Sequence, residues 1–227
     1  YAEGRSDIAS HTISTAQEAG WIWDIGLSDR RGVGHVFSSK YTTEERARKQ
    51  LAEYLSESGA NIDELDVRKI PINSGHRELF WKNNVVAIGL SAGFLEPLEA
   101  SAIVLVEMSA RMLSEQMPAT KSAMPIVAKR FNDIFLYRWA RIIDFLKLHY
   151  CISKRTDSEF WLDNVNSNSI PDSLQELLEL WRYQSPWEGD FVHRDEVFPS
   201  ASYQYVLYGM GFDTEPSFYG QSKNEKK

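Results

Sequence analysis

The chain has 227 residues, 43% of them hydrophobic and 25% charged, the balance of a globular protein with a sizeable core and not of a disordered or collagen-like chain. Its 25 basic and 32 acidic residues leave a net charge of −7 with no long basic block, which disfavours nucleic-acid binding. The single cysteine, Cys151, excludes an internal disulfide framework and a cysteine-rich zinc site, and no apolar run reaches bilayer-spanning length.

The first residue is Tyr1, and YAEGRSDIASHTIS reads as the interior of a longer chain with no signal-peptide pattern, so a fragment of a cytoplasmic protein is expected. GWIWDIGL spaces Trp21, Trp23 and Ile25 at period two and predicts a strand. A turn at Ser28 to Gly32 and a second strand over GVGHVFSS, Gly32 to Ser39, complete a hairpin. GVGHVF lacks the third glycine of a dinucleotide fingerprint. TTEERARKQLAEYLSESG predicts a helix, with Thr42 and Glu45 at capping-box spacing, Leu51 and Leu55 on one face and Gly59 at its end. DVRKIPI, Asp66 to Ile72, is a strand candidate, and Asn73 to Gly75 a turn. Val85 to Ile88 form a continuous apolar run, the pattern of a strand buried on both faces.

After GLSAGFLEPLEAS, Gly89 to Ser101, the pattern becomes helical. Pro97 stands at the first helical position of a helix running through Leu98, Ile103, Leu105, Val106, Met112 and Leu113. From Met124 to Tyr150 a second helix carries Phe131, Phe135, Trp139, Ile142 and Phe145 at spacings of three and four. RTDSEFWLDN reads as a polar-aromatic link, Leu174 to Trp181 as a helix and SPWEGDF as a loop. ASYQYVLYGMGF predicts a last helix ending near Gly209 or Gly211, and 221–227 a disordered tail. The fold class is α+β: a hairpin and a further strand, then a mostly helical part.

GLSAGFLEPLEAS has the features of a binding junction. Its small residues let backbone approach a ligand, and the free amides of a helix start can hold an anion. Glu96 and Glu99 both suit a helix start electrostatically, and the residues alone do not choose between them. Acids and proline at helix starts are also common packing features, so a structural role stays open beside a functional one. Ser91 in G-L-S-A-G matches the nucleophile-elbow pattern, but the Pro97 helix begins six residues later, not directly after the serine. The histidines His11, His35, His76, His149 and His193 have no metal-ligand spacing.

Together, GWIWDIGL, RRGVGHVFSS, VVAIGLSAGFLEPLEAS and DFLKLHY resemble the flavin-dependent tryptophan halogenase family, in the EPLEAS form of its proteobacterial branch. The resemblance runs from about Tyr1 to Gly211 and corresponds to the C-terminal half of such an enzyme. It implies that 1–96 completes a flavin-monooxygenase-like domain and that 97–220 forms a helical substrate-side region. It implies reduced FAD (FADH2) supplied by a flavin reductase, O2, chloride or bromide, and an aromatic small-molecule substrate, with a homodimer left open. Oxidised halide would reach a lysine beside the substrate, assisted by a glutamate. By position that glutamate is Glu99, and the residues whose backbone amides hold halide are Ser101 and Ala102. Gly89, Ala92 and Gly93 resemble a flavin-contact motif, and Trp21 and Trp23 those that separate flavin from substrate.

The chain departs from the family pattern at several points. Gly26 replaces the proline of W-x-W-x-I-P, and Ala100, Ser101 and Ala102 follow the glutamate in place of serine, threonine and glycine. Where tryptophan-specific members carry Phe-Trp and Asn, this chain has Val197, Phe198 and Ser202. Phe198 can stack on an aromatic ring, but the amino-acid clamp is lost. An indole or another electron-rich aromatic is therefore expected, not free tryptophan. The family's glycine-rich FAD fingerprint and reactive lysine belong to an N-terminal half outside this sequence, so the fragment alone is expected to be inactive. The competing readings are a noncatalytic helical module using Phe131 to Phe145 as a partner surface, and a monooxygenase relative that has lost halogenation.

Overall fold

A computed structural model describes residues 8–193 and 195–215. The 221–227 tail lies outside the described residues. Among the described residues, those up to Pro71 together with Lys154–Asp163 form one compact unit, and Ile72–Ser153 with the residues from Asn164 onward form a second. The units divide between Pro71 and Ile72 and again at either end of Lys154–Asp163, whereas the boundary after Glu96 is what the family resemblance implies.

The first unit is built on an antiparallel sheet of β1 (Ile13–Gln17), β2 (Gly20–Gly26) and β3 (Arg31–Phe37), in that order. The expected hairpin is β2–β3, with Trp21 opposite Val36 and Trp23 opposite Gly34. β1 was not expected, because ISTAQ has a single large apolar residue, Ile13, which remains 40% exposed on the sheet edge. Alternation along β2 sends Ile22 to one face, where it is fully buried against Leu51 and Leu55 of α1 (Glu44–Ser56) and against Ile62. Trp21 and Trp23 take the other face. Thr43, not Thr42, caps α1, its hydroxyl accepting from the Arg46 N–H at 3.3 Å. Gly59, at φ +77°, stands three residues beyond the helix.

Asp66–Ile72 forms no strand; Ile70 is exposed and no ladder partner is offered to this segment among the described residues. RTDSEFWLDN is likewise more than a link, since it contains α4 (Glu159–Val165). Trp161 Nε1 donates to the Gln17 carbonyl at 2.9 Å and Ser158 Oγ to the Glu18 carbonyl, so buried aromatic residues dock this segment on the β1–β2 turn.

The second unit centres on α3 (Met124–Cys151), which follows α2 (Ala102–Gln116). Phe131, Phe135, Trp139 and Ile142 pack on Phe80, Trp81 and Leu105. One helical stretch further on, Phe145 and Leu148 pack with Leu174 and Trp181 of α5 (Asp172–Trp181) and with Tyr203 and Leu207 of α6 (Ser200–Gly209). All five aromatic and aliphatic residues from Phe131 to Phe145 that the spacing picked out are buried, so they form core and not a partner surface. Two short ladders complete the unit: β4 (Gly75–His76) with β7 (Gly93–Phe94), and β5 (Trp81–Lys82) with β6 (Val85–Val86). The Val85–Ile88 run is therefore one arm of a small hairpin, not a strand buried on both faces, and Val85 is 64% exposed. The buried Asn132 amide holds that hairpin to α3. Its oxygen accepts from the Phe80 and Trp81 N–H groups, and its nitrogen donates to the Trp81 carbonyl.

Candidate functional site

The segment between β7 and α2 is where the two sequence-flagged carboxylates lie. Pro97–Glu99 forms one 3-10 turn and does not open the long helix. Ala100 then adopts a left-handed conformation, φ 50° and ψ 31°, which a helix cannot continue through. The helix restarts with Ser101 as its N-cap residue and Ala102 as its first turn. The helix expected to start at Pro97 therefore starts only at Ala102, and Pro97 opens a single turn.

Two adjacent residues near the end of α3 grip this turn. His149 Nε2 lies 2.9 Å from Glu99 Oε1, and the Tyr150 hydroxyl donates to Glu96 Oε2 at 2.8 Å. His149 Nδ1 is 2.8 Å from the Phe145 carbonyl. The two carboxylates, indistinguishable by sequence position, thus have different partners. Neither His149 nor Tyr150 is assigned a role by sequence reasoning. The available signal was a polar HY pair ending an otherwise apolar helix face.

Phe198 joins the same group of side chains. Its ring stacks on Phe145 at 4.0 Å, and the His149 and Phe145 rings stand perpendicular with centroids 5.2 Å apart. Glu99, His149, Phe145 and Phe198 therefore form a continuous series of contacts. Burial pushes the neighbouring Cys151 thiol up to about 11, which disfavours the thiolate.

The glycine segment divides in two. Gly89 has φ +61° and the Gly89–Ser91 turn presents Leu90, which is 80% exposed. Ala92 is buried in the core, and its backbone N–H and carbonyl bond to Gly89 and Arg77. A Cβ on Gly93 would lie 2.5 Å from the Gly75 carbonyl oxygen and 2.7 Å from the Trp139 ring, so packing within the protein requires this glycine. Ser91 Oγ closes its own turn, donating to the Ile88 carbonyl and accepting from the Ile88 N–H. That commitment removes it from the nucleophile-elbow reading.

In the first unit, Trp21 is buried, and Trp23 lies across Gly32 and Gly34; a Cβ on Gly34 would meet the Trp23 ring at 2.4 Å. The glycines of GVGHVF accommodate an indole in the sheet. No group of His, Cys, Asp and Glu able to hold a metal occurs among the described residues.

The fit to an anion can be tested at α2. No side-chain oxygen caps its first turn, so the amides around Ser101 and Ala102 have no competing side-chain acceptor among the described residues. The dipole of a 15-residue helix adds partial positive charge there. This donor set suits a halide. For a flavin, the open Gly89–Ser91 turn fits close backbone approach, whereas Ala92 and Gly93 are taken up by the core.

The tryptophan halogenase family model matches residues 2–221. The structure of a tryptophan halogenase from Shewanella frigidimarina superposes with a TM-score of 0.92 at 51% identity, covering 96% of this chain and 42% of that one. BrvH, a flavin-dependent halogenase from Brevundimonas, gives 0.83 at 35% identity, covering 95% and 42%. Tryptophan 6-halogenase SttH of Streptomyces toxytricini is 34% identical over 90% of this chain and 38% of its own length. The chain thus spans about two-fifths of the length of these relatives. With its α+β fold, its EPLE turn and this similarity along nearly its whole length, the chain belongs to the flavin-dependent tryptophan halogenase family.

Proposed function

We propose that this chain provides the halide-side and substrate-side part of a cytoplasmic halogenase acting on an indole or another electron-rich aromatic with chloride or bromide. The observation that carries this reading is the carboxylate of Glu99, held by His149 just before the uncapped start of α2. Reduced FAD, delivered by a flavin reductase, would supply with O2 the oxidising power that makes halide electrophilic. The amides of Ser101 and Ala102 would hold the halide. Glu99 would orient the halogenating species and stabilise positive charge developing on the substrate ring. Phe198 would meet the ring, and Trp21 and Trp23 would serve the flavin-side body completed by 1–96. Gly89 would admit the flavin edge, while Ala92 and Gly93 would support that turn from the core. Substrate choice follows from Val197, Phe198 and Ser202, which offer no clamp for a free amino acid. The 227-residue part alone would not turn over, because the FAD fingerprint and reactive lysine expected of the family are not in its sequence.

The test is product analysis by mass spectrometry, using a full-length protein carrying this chain, a flavin reductase, either halide and a panel of indoles. Glu99→Gln is expected to lower yield by about 100-fold or more while FAD binding persists. Undiminished yield would overturn the assignment of Glu99.

A further inference from the structure

We propose that His149 is the positioning residue for Glu99: it pins one carboxylate oxygen through a shared proton and leaves the other to face the reaction. The hydrogen-bond stoichiometry carries the argument. His149 Nδ1 sits 2.8 Å from the Phe145 carbonyl, an oxygen that can only accept, so Nδ1 carries a proton. In a neutral ring Nε2 would then be a bare lone pair. A lone pair cannot bond to a carboxylate oxygen, yet Nε2 stands 2.9 Å from Glu99 Oε1. A proton therefore lies between them, and we place it on Nε2, which donates to the Glu99 carboxylate.

The surrounding groups leave Glu99 as the partner. Glu96 is engaged by Tyr150, Asp144 by Arg141 and Ser173, and Lys147 by Asn164 and Ser169. The ring of His149 is fixed as well. The Phe145 ring stands perpendicular to it at 89°, and Phe145 is itself braced by stacking on Phe198. Glu99 needs such a support. It ends a single 3-10 turn and is followed by the left-handed Ala100, so no helix ladder continues through it. Its Oε2 makes no hydrogen bond among the described residues. That a substrate meets Oε2 rests on the halogenase reading above; the proton shared with His149 does not.

Two measurements on the full-length protein test this. In 15N-histidine-labelled protein without flavin or substrate, the His149 ring should show a proton at Nδ1 and a second one at Nε2 facing Glu99. In Glu99→Gln the ring should become the neutral Nδ1–H form with a bare Nε2. An unchanged spectrum overturns the shared-proton contact. In halogenation assays, His149→Leu should lower kcat by about 30-fold with KM for the aromatic changed less than about threefold, the scale of a slightly misplaced catalytic group. His149→Gln retains an N–H donor and should return to within about fivefold of wild type. Equal losses in the two variants, or an unchanged kcat in His149→Leu, overturn the positioning role. Thermal melts identify a variant that fails to fold, in which case His149→Gln and the nitrogen spectrum still decide. A wild-type protein that halogenates neither indoles nor other electron-rich aromatics, with the nitrogen spectrum as expected, would overturn the halogenase reading and keep the contact.

Discussion

The β1–β3 sheet and the Glu96–Ala102 turn are both ordered, but by different forces. The sheet is held by a continuous backbone ladder and by burial of Ile22 beneath α1, interactions between segments close in sequence. The turn has one internal 3-10 bond, from the Ala100 N–H to the Pro97 carbonyl, and two side-chain anchors some fifty residues away. The first kind of region tolerates the loss of any one side-chain hydrogen bond, because the ladder remains. The second kind depends on a few contacts, and the second unit repeats the device where Asn132 holds the β5–β6 hairpin.

That contrast can be broken most severely at Asn132. Asn132→Leu leaves the Phe80 and Trp81 N–H groups and the Trp81 carbonyl without their buried partner, and should cost about 4 kcal/mol in a urea unfolding titration. A pair of glycines sharpens it next. In the second unit, Gly93→Ala drives a methyl toward the Gly75 backbone oxygen on one side and Trp139 on the other, and should cost about 3 kcal/mol even without flavin. In the first, Gly34→Ala meets only the side chain of Trp23, which can shift, so about 1–2 kcal/mol is expected. Equal costs at the two glycines would show that both neighbourhoods yield alike.

The smallest effect is a pH dependence in the first unit. Burial lowers the pKa of His35 below its ordinary 6.5, against the bond from its Nδ1 to the Ala47 carbonyl. The unfolded chain takes up a proton as pH falls through about 6.5 while the folded ring resists, so the neutral ring's contribution is present above that pH and is lost below it. Urea midpoints at pH 7.5 and 5.5 should therefore differ more for wild type than for His35→Gln. The same difference in both proteins would remove His35 as a cause.

The long helices were legible because Phe131, Phe135, Trp139, Ile142 and Phe145 must share one face to be buried, and that constraint leaves a spacing in the sequence. The β2–β3 hairpin was legible for the same reason at period two. β1 was not, since an edge strand needs little apolar character of its own. Val85–Ile88 misled because apolar runs do not distinguish a central strand from a hairpin arm. Within the site, Glu99, Ser101 and Ala102 came from the family resemblance, and the physics of helix starts only made them plausible. His149 escaped because its role depends on the left-handed turn at Ala100, a conformation that an alanine does not announce.

The clasp of His149 and Tyr150 on the EPLE turn also limits how the motif can be moved. Transplanting GLSAGFLEPLEAS into another scaffold would carry the acids, the proline and the helix start, but neither of the hands that hold them. A working graft would have to bring a second helix whose last turn offers an imidazole and a phenol side by side, aimed at the two carboxylates. The smallest portable piece of this chain is therefore a pair of segments, not a peptide.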